Sequence, residues 1–173
     1  HTGTVPFTQS SATATDETSG VASYTWSKQS GSGTVTFSNT HVLNPNITAV
    51  SQDGTYVIRL TVVDEAGNST YDDFTLLWDT TSPEITLDMF PDANTNQVNA
   101  SFEFEGSDDL SDPVTYQCRL DEASFAACTS PYIYSGLRQG EHTFSIRGLD
   151  SLNNQTEDLS YSWNIVADQT NDA

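Results

Sequence analysis

The sequence predicts an all-β protein built from two tandem antiparallel β-sandwiches arranged end to end. Three observations support this prediction. Apolar and polar residues alternate with a period of two, turn residues recur at intervals of roughly 8 to 12 residues, and no segment has the apolar spacing of a helix. About six or seven short strands in about 85 residues are typical of a sandwich.

The alternation identifies the strands in chain order. It is clearest in 56–63, where Tyr56, Ile58 and Leu60 alternate with polar or smaller residues, and the other candidate strands are 22–28, 34–37, 71–78, 84–89, 98–105, 114–120, 125–129 and 160–166. Turn residues separate these strands at 31–33, 44–46, 53–54, 67–68 and 130–131. Glycine, proline, asparagine and aspartate favour turns for distinct conformational reasons, so these positions predict hairpin and loop connections.

An internal repeat indicates two domains. Residues 54–70 align without gaps on 140–156 at an offset of 86, and the matched Asp, Asn and Gly residues lie at turns. We therefore predict one domain over 1–82 and a second over 83–173. The first contains 2 basic and 8 acidic residues and the second 3 and 16, which gives net charges of −6 and −13.

The composition excludes several classes of function. A net charge of −19 with five Lys and Arg residues cannot form a basic groove, so we expect no nucleic-acid binding. No apolar run of about 18 residues occurs, so we expect no membrane insertion. Aromatic residues make up 10% of the chain, which is enough to form a core. We expect a folded monomer that is part of a longer chain.

Cys118 and Cys128 are the two cysteines of the chain. Apolar residues flank the polar segment 121–124 between them, which predicts a hairpin that brings the two sulfurs together. We predict a disulfide, which implies an oxidising compartment. Two buried thiols remain the alternative, and a metal site is disfavoured because companion Cys or His ligands are missing.

Several segments resemble known bacterial modules. In the first domain SGVASYTW (19–26), GSGTVTF (31–37) and LTVVDEAGN (60–68) resemble the PKD-type immunoglobulin-like domain of bacterial surface proteins. In that family the Trp, here Trp26, packs in the core. In the second domain YQCRLD (116–121), FAACTSP (125–131) and Trp163 are similar to another bacterial immunoglobulin-like repeat. Where the family usually has Gly, the second domain has Asn153, which must adopt the left-handed conformation.

The resemblance implies two immunoglobulin-like sandwiches that act as a non-catalytic spacer or cell-adhesion module of a large secreted or surface protein. It implies an extracellular location, neighbouring modules as partners and a possible cell-surface or glycan ligand. The alternative is a carbohydrate-binding accessory module of a secreted polysaccharide-degrading enzyme. For that function the sugar-stacking aromatics would be Phe90, Tyr132, Tyr134 and Tyr161.

Calcium is the predicted ligand, because it requires six to eight oxygen donors and the acidic residues are concentrated in loops. Loops at one pole of each sandwich, together with the joints between modules, supply the candidates: Asp16, Glu17, Asp64, Asp79, Asp108, Asp109, Asp150 and Asp168. We expect Asp79 to share an ion with Asp108, Asp109 or Asp150 at the joint. Solvated surface charge and turn capping are the alternative explanation.

Enzymatic activity is not expected. No glycine-rich phosphate loop, G-x-S-x-G or H-E-x-x-H motif is present, and neither His41 nor His142 lies in a nucleophile pattern. The repeat aligns His142 with the apolar position Tyr56, so we expect His142 to be a partly buried packing residue.

Overall fold

The structure is a computed structural model that describes residues 12–167 and the backbone of Phe7–Thr8. Within these residues all regular elements are β-strands. The chain divides into two compact units, His1–Thr81 and Ser82–Ala173. The all-β class is confirmed, whereas the exact boundary at 82 and 83 and the end-to-end arrangement remain predictions. No helix that could cross a membrane occurs in this part of the chain.

The first unit contains two three-stranded sheets. One has the order β2-β5-β6 and the other β1-β4-β3, and all neighbours are antiparallel. The strands are β1 (Phe7–Thr8), β2 (Val21–Ser30), β3 (Val35–Phe37), β4 (Asn46–Val50), β5 (Gly54–Asp64) and β6 (Ser69–Trp78). Strands β1 and β4 were not among the predicted strands.

The core of the first unit follows the period-two pattern. Alternate residues of β5, namely Tyr56, Ile58 and Leu60, are buried and pack with Trp26 and Ile47. Trp26 donates its indole N–H to the Val42 carbonyl at 2.9 Å, which satisfies its polar atom inside the core. The expected core position of Trp26 is therefore confirmed.

The second unit is a larger sandwich. A five-stranded sheet has the order β11-β10-β13-β14-β8 and a three-stranded sheet has the order β12-β9-β7; the β14-β8 pair is parallel. The strands are β7 (Glu84–Met89), β8 (Asn94–Thr95), β9 (Ala100–Ser107), β10 (Thr115–Leu120), β11 (Ala126–Cys128), β12 (Tyr132–Tyr134), β13 (Gly140–Leu149) and β14 (Leu159–Ile165). The short strands β8 and β12 were not predicted.

Aromatic rings fill the core of the second unit. Phe102 of β9 stacks on Phe144 of β13 with ring centroids 4.0 Å apart, and Trp163 meets Phe102 edge-on at 5.4 Å. These contacts join the two sheets, because β9 lies in one sheet and β13 and β14 lie in the other. Such rings contribute stability beyond the apolar area that they bury.

The predicted disulfide is present. Strands β10 and β11 form the expected hairpin, and the Cys118 and Cys128 Cα atoms are 5.8 Å apart. Both residues are buried in the core of the second unit. Neither cysteine is therefore available as a free thiol or as a metal ligand.

Candidate calcium-binding loops

Two loops of the second unit bring two carboxylates together. Asp108 lies in the loop after β9 and Asp150 in the loop after β13. A carboxylate oxygen of Asp108 and one of Asp150 lie within 4.8 Å of each other. Ser111 lies between them, because its Oγ is 2.7 Å from Asp150 Oδ2 and 3.2 Å from Asp108 Oδ1. We call Asp108, Ser111 and Asp150 the β9/β13 acidic corner.

The loop after β9 is folded around the Asp108 side chain. The backbone N–H groups of Leu110 and Ser111 each donate to Asp108 Oδ1 at 2.8 Å. In turn, the Asp108 N–H donates to Asp112 Oδ1 at 3.1 Å. Short side chains that accept bonds from the following backbone stabilise tight turns, so these contacts fix the position of Asp108.

The Asp150 carboxylate is held in its ionised form. Burial is the largest influence on its pKa and raises it, but hydrogen bonds from Ser111, Asn154 and Leu152 together lower that pKa below the ordinary value. Oδ1 accepts the Leu152 and Asn154 N–H groups at 2.8 Å, and Oδ2 accepts from Asn154 Nδ2 at 2.7 Å. The residue is 3% exposed. The acidic corner therefore carries a buried negative charge.

The first unit repeats this turn. Asp64 Oδ1 accepts the Asn68 N–H and Asp64 Oδ2 accepts Asn68 Nδ2, both at 2.8 Å, and these bonds lower the pKa of Asp64. The left-handed position is Gly67 in the first unit, with φ 90°, and Asn153 in the second, with φ 68°. The prediction that Asn153 takes the conformation of the family's glycine is confirmed.

At the same pole of the first unit, Asp16 and Asp64 line one small cavity of about 230 Å³. Asp16 Oδ1 accepts the N–H groups of Thr18, Ser19 and Gly20, which lower the pKa of Asp16 to about 2. These bonds cap the loop before β2. Within the described residues of this unit alone, no three carboxylate or imidazole side chains approach one another as metal ligands.

The other candidate ligands differ in exposure. Asp79 is buried, and its Oδ1 accepts the N–H and hydroxyl of Thr81 at 3.0 and 2.8 Å. Glu17 and Asp109 are exposed. Asp168 lies outside the described residues.

The acidic corner can supply part of a calcium coordination shell. Two carboxylates and one hydroxyl are hard oxygen donors, which calcium prefers. They fall short of six to eight oxygens, and Asp150 already accepts several N–H bonds. An ion here would therefore need further oxygens from water, from Asp109 or from another acidic residue.

The contacts of Ser111 and Asn154 at this site were not predicted from the sequence. Ser111 is 1% exposed and joins the two acidic loops. The D-D-L-S sequence at 108–111 could have predicted this contact, because its spacing is typical of a turn capped by an Asp side chain. The contact of the Asn154 amide could have been predicted from the repeat, because Asp64 and Asn68 align with Asp150 and Asn154. His142 faces the interior as expected, but it also makes two hydrogen bonds.

The four aromatic residues of the sugar-binding alternative do not form one platform within the described residues. Tyr134 packs edge-on against the core rings Phe102 and Phe144. Phe90 is 46% exposed and contacts the Tyr161 ring at 4.4 Å, while the Tyr161 hydroxyl donates to the Pro91 carbonyl. Phe90 and Tyr161 are thus the pair that offers an open aromatic surface.

Comparison with known proteins gives one family match. Residues 5–77 match the family described as K319L-like, PKD domain. No curated protein matches the chain at a significant level of sequence similarity.

Solved structures that are similar to the chain include the following three. The fibronectin(III)-like modules of Clostridium thermocellum CbhA are 14% identical, with a TM-score of 0.46 and coverage of 88% of this chain and 82% of that one. The D00-D0 domain of intimin is 12% identical, with a TM-score of 0.37 and coverages of 87% and 88%. The human desmocollin-1 ectodomain is 11% identical, with a TM-score of 0.25 and coverages of 85% and 31%.

Proposed function

Because residues 5–77 match the K319L-like, PKD domain family, we propose that the chain is a non-catalytic pair of extracellular repeat modules. The pair acts as a spacer or adhesion segment of a large bacterial surface or secreted protein. Modules of this type are typically non-catalytic and extracellular. The Cys118–Cys128 disulfide is consistent with an oxidising compartment.

One observation carries the proposal. Two successive all-β units contain the same Asp-Asn turn, Asp64 with Asn68 and Asp150 with Asn154, and one of these units matches the PKD family. A duplicated small sandwich extends a chain by repetition and needs no reactive centre. Repetition of one module is the usual construction of extended proteins whose units contact mainly their neighbours.

Calcium binding at the β9/β13 acidic corner is part of the proposal. Its support is the approach of two carboxylates, the lowered pKa of Asp150 and the hydroxyl of Ser111 between them. An ion there would tie the loop after β9 to the loop after β13 and neutralise charge in the more acidic half of the chain. The shared role of Asp79 in holding this ion remains a prediction.

The experiment is a thermal melt of the whole chain in excess chelator and in millimolar calcium, with calorimetric titration. Binding to the folded form alone raises the free energy of unfolding by about 2.7 kcal/mol at a hundredfold excess over Kd. Asp108→Asn keeps the side-chain shape and should remove the response, whereas the exposed Asp92→Asn should keep it. A melt that chelator leaves unchanged, with no binding heat, would refute the calcium proposal.

Two further measurements test the role of Asp79 and the elongated arrangement of the modules. If Asp79→Ala keeps the full calcium response, Asp79 is not a ligand. Small-angle scattering should show an elongated particle whose maximum dimension becomes better defined with calcium. These outcomes are independent of the spacer proposal, which concerns the fold and its repetition.

The accessory carbohydrate-binding function has one supporting feature, the exposed Phe90 ring beside Tyr161. Aromatic faces of this kind can stack on sugar rings. A glycan array probed with the whole chain distinguishes the two functions. Robust sugar binding that Phe90→Ala abolishes would support the carbohydrate-binding function and refute the spacer function. An array without binding would favour the spacer function.

A further inference from the structure

His142 joins two separate segments of the second unit to β13. Its Nδ1 lies 2.9 Å from Asp121 Oδ2, in the turn between the disulfide-linked strands β10 and β11. Its Nε2 lies 2.9 Å from the Arg138 carbonyl, in the segment between β12 and β13. The imidazole ring is largely enclosed, with 13% of the side chain exposed, and it packs against Trp163 at 5.5 Å.

Both partners of the ring can only accept hydrogen bonds at neutral pH. A carboxylate and a backbone carbonyl carry no proton, and a neutral imidazole has one N–H. Neutral His142 can therefore donate to one of these two oxygens only. Its other nitrogen then turns a lone pair towards the second oxygen, which is unfavourable. The imidazolium carries two N–H groups and can donate to both acceptors, so the two contacts fit the protonated ring.

The turn itself is closely bound to the same strand. The Asp121 N–H donates to the Thr143 carbonyl at 2.7 Å, and Asp121 Oδ1 accepts the Thr143 N–H at 2.8 Å. Asp121 has φ 52°, a left-handed conformation that is uncommon for a residue other than glycine. The Asp121 carboxylate thus bridges the backbone of β13 and the ring of His142. A change in the protonation of His142 therefore alters the hydrogen bond that the Thr143 amide donates to this carboxylate.

The charges around the ring favour the protonated form. Burial is the largest single influence and lowers the pKa of His142, but the Arg138 carbonyl and the Asp121 carboxylate together raise that pKa above 6.5. Burial raises the pKa of Tyr134, which also senses Asp121, to about 12, so this phenol stays neutral. Further charged groups, Arg119, Glu122 and Glu141, line a neighbouring groove on the surface of the sheet.

We propose that His142 is a pH-sensitive clamp that fastens the disulfide hairpin turn and the segment between β12 and β13 to strand β13. Protonation closes the clamp, because both ring nitrogens then donate. Deprotonation removes one of the two bonds and also the positive charge that faces the Asp121 carboxylate, so the contact between the ring and the Asp121 turn weakens whichever nitrogen keeps the proton. This function is independent of calcium binding and of any role as a spacer.

The sign of the effect follows from proton linkage. A group whose pKa is higher in the folded state than in the unfolded state stabilises the fold when it is protonated. The stabilisation is therefore complete below about pH 6.5, the ordinary histidine value, and is lost as the pH rises through the folded pKa. The loss should be local to the hairpin turn and the segment before β13.

The test is NMR on the whole chain over roughly pH 5 to 9, the range in which imidazole rings titrate. We expect the His142 ring to titrate above 6.5. We also expect the protection of the Thr143 amide, corrected for intrinsic exchange, to fall across the same titration. The Trp26 amide, which donates to the Thr40 carbonyl in the first unit, should show no such step.

Variants separate the clamp from simple packing. His142→Gln cannot change charge, so the pH step at Thr143 should disappear, whereas the exposed His41→Gln should keep it. Asp121→Asn should lower the titration midpoint of His142. A His142 pKa at or below 6.5, a Thr143 amide without a pH step, or a step that persists in His142→Gln would overturn the proposal. The wild-type titration alone decides if His142→Gln does not fold.

Discussion

Removal of the disulfide should destabilise the second unit selectively. In the variant Cys118→Ala with Cys128→Ala, the hairpin keeps its strand pairing but loses its covalent link. The two cysteines are 10 positions apart, and closing a loop of that length stabilises the folded state by about 2.7 kcal/mol in the chain-entropy model. Both residues are also buried, so the lost sulfur contacts add to this cost.

The size of the effect can be expressed as a melting temperature. For a unit of this size, 1 kcal/mol of stability corresponds to about 4 to 8 °C in melting temperature. The melting temperature of the second unit should therefore fall by roughly 10 to 20 °C. Hydrogen exchange resolves the two units, because Phe144 lies in the core of the second and Ile58 in that of the first. Exchange should accelerate at Phe144 and remain unchanged at Ile58.

Chemical reduction provides the control for this prediction. A reducing agent should destabilise the wild-type chain and leave the alanine variant unaffected, because the variant has no disulfide to reduce. Two results would refute the reasoning: a loss below about 1 kcal/mol, which is under the loop-closure contribution, or equal losses at Phe144 and Ile58. The second result would mean that the link stabilises both units together.

Two more predictions concern the first unit. Gly31→Ala should lower the free energy of unfolding, measured with urea, by about 2 to 4 kcal/mol, because a Cβ there would overlap the Tyr56 ring and φ is 110°. Gly67→Ala has open space around the new Cβ and φ 90°, so it should lower the free energy of unfolding only by the backbone strain of about 1 to 2 kcal/mol. Asp16, with a pKa of about 2 against 3.8 unfolded, stabilises the fold above about pH 4 and loses this contribution as pH falls towards 2. Asp16→Asn should remove that part of the acid dependence, as measured by acid unfolding; an unchanged profile would contradict it.

Local pattern was sufficient for most of the strands and for the turns that flank them. The side chains of a strand alternate between two faces whatever the strand pairs with, so Tyr56, Ile58 and Leu60 could be assigned to the core from the sequence. The Cys118–Cys128 hairpin and the left-handed Asn153 were equally local, because each depends on a few neighbouring residues. The strands that the pattern missed are β1, β4, β8 and β12. They are five residues long or shorter, and pairing with other strands stabilises them.

The contacts of the acidic corner and the clamp depended on the tertiary structure. Ser111 and Asp150 are 39 positions apart, and they meet because the loops after β9 and β13 emerge at the same place. For His142 the sequence determined that the ring faces inward, while the fold brought Asp121 and Arg138 to its two nitrogens. A hydrogen bond requires two atoms about 3 Å apart. Such distances between remote residues are set by the packing of whole strands, which no local pattern contains.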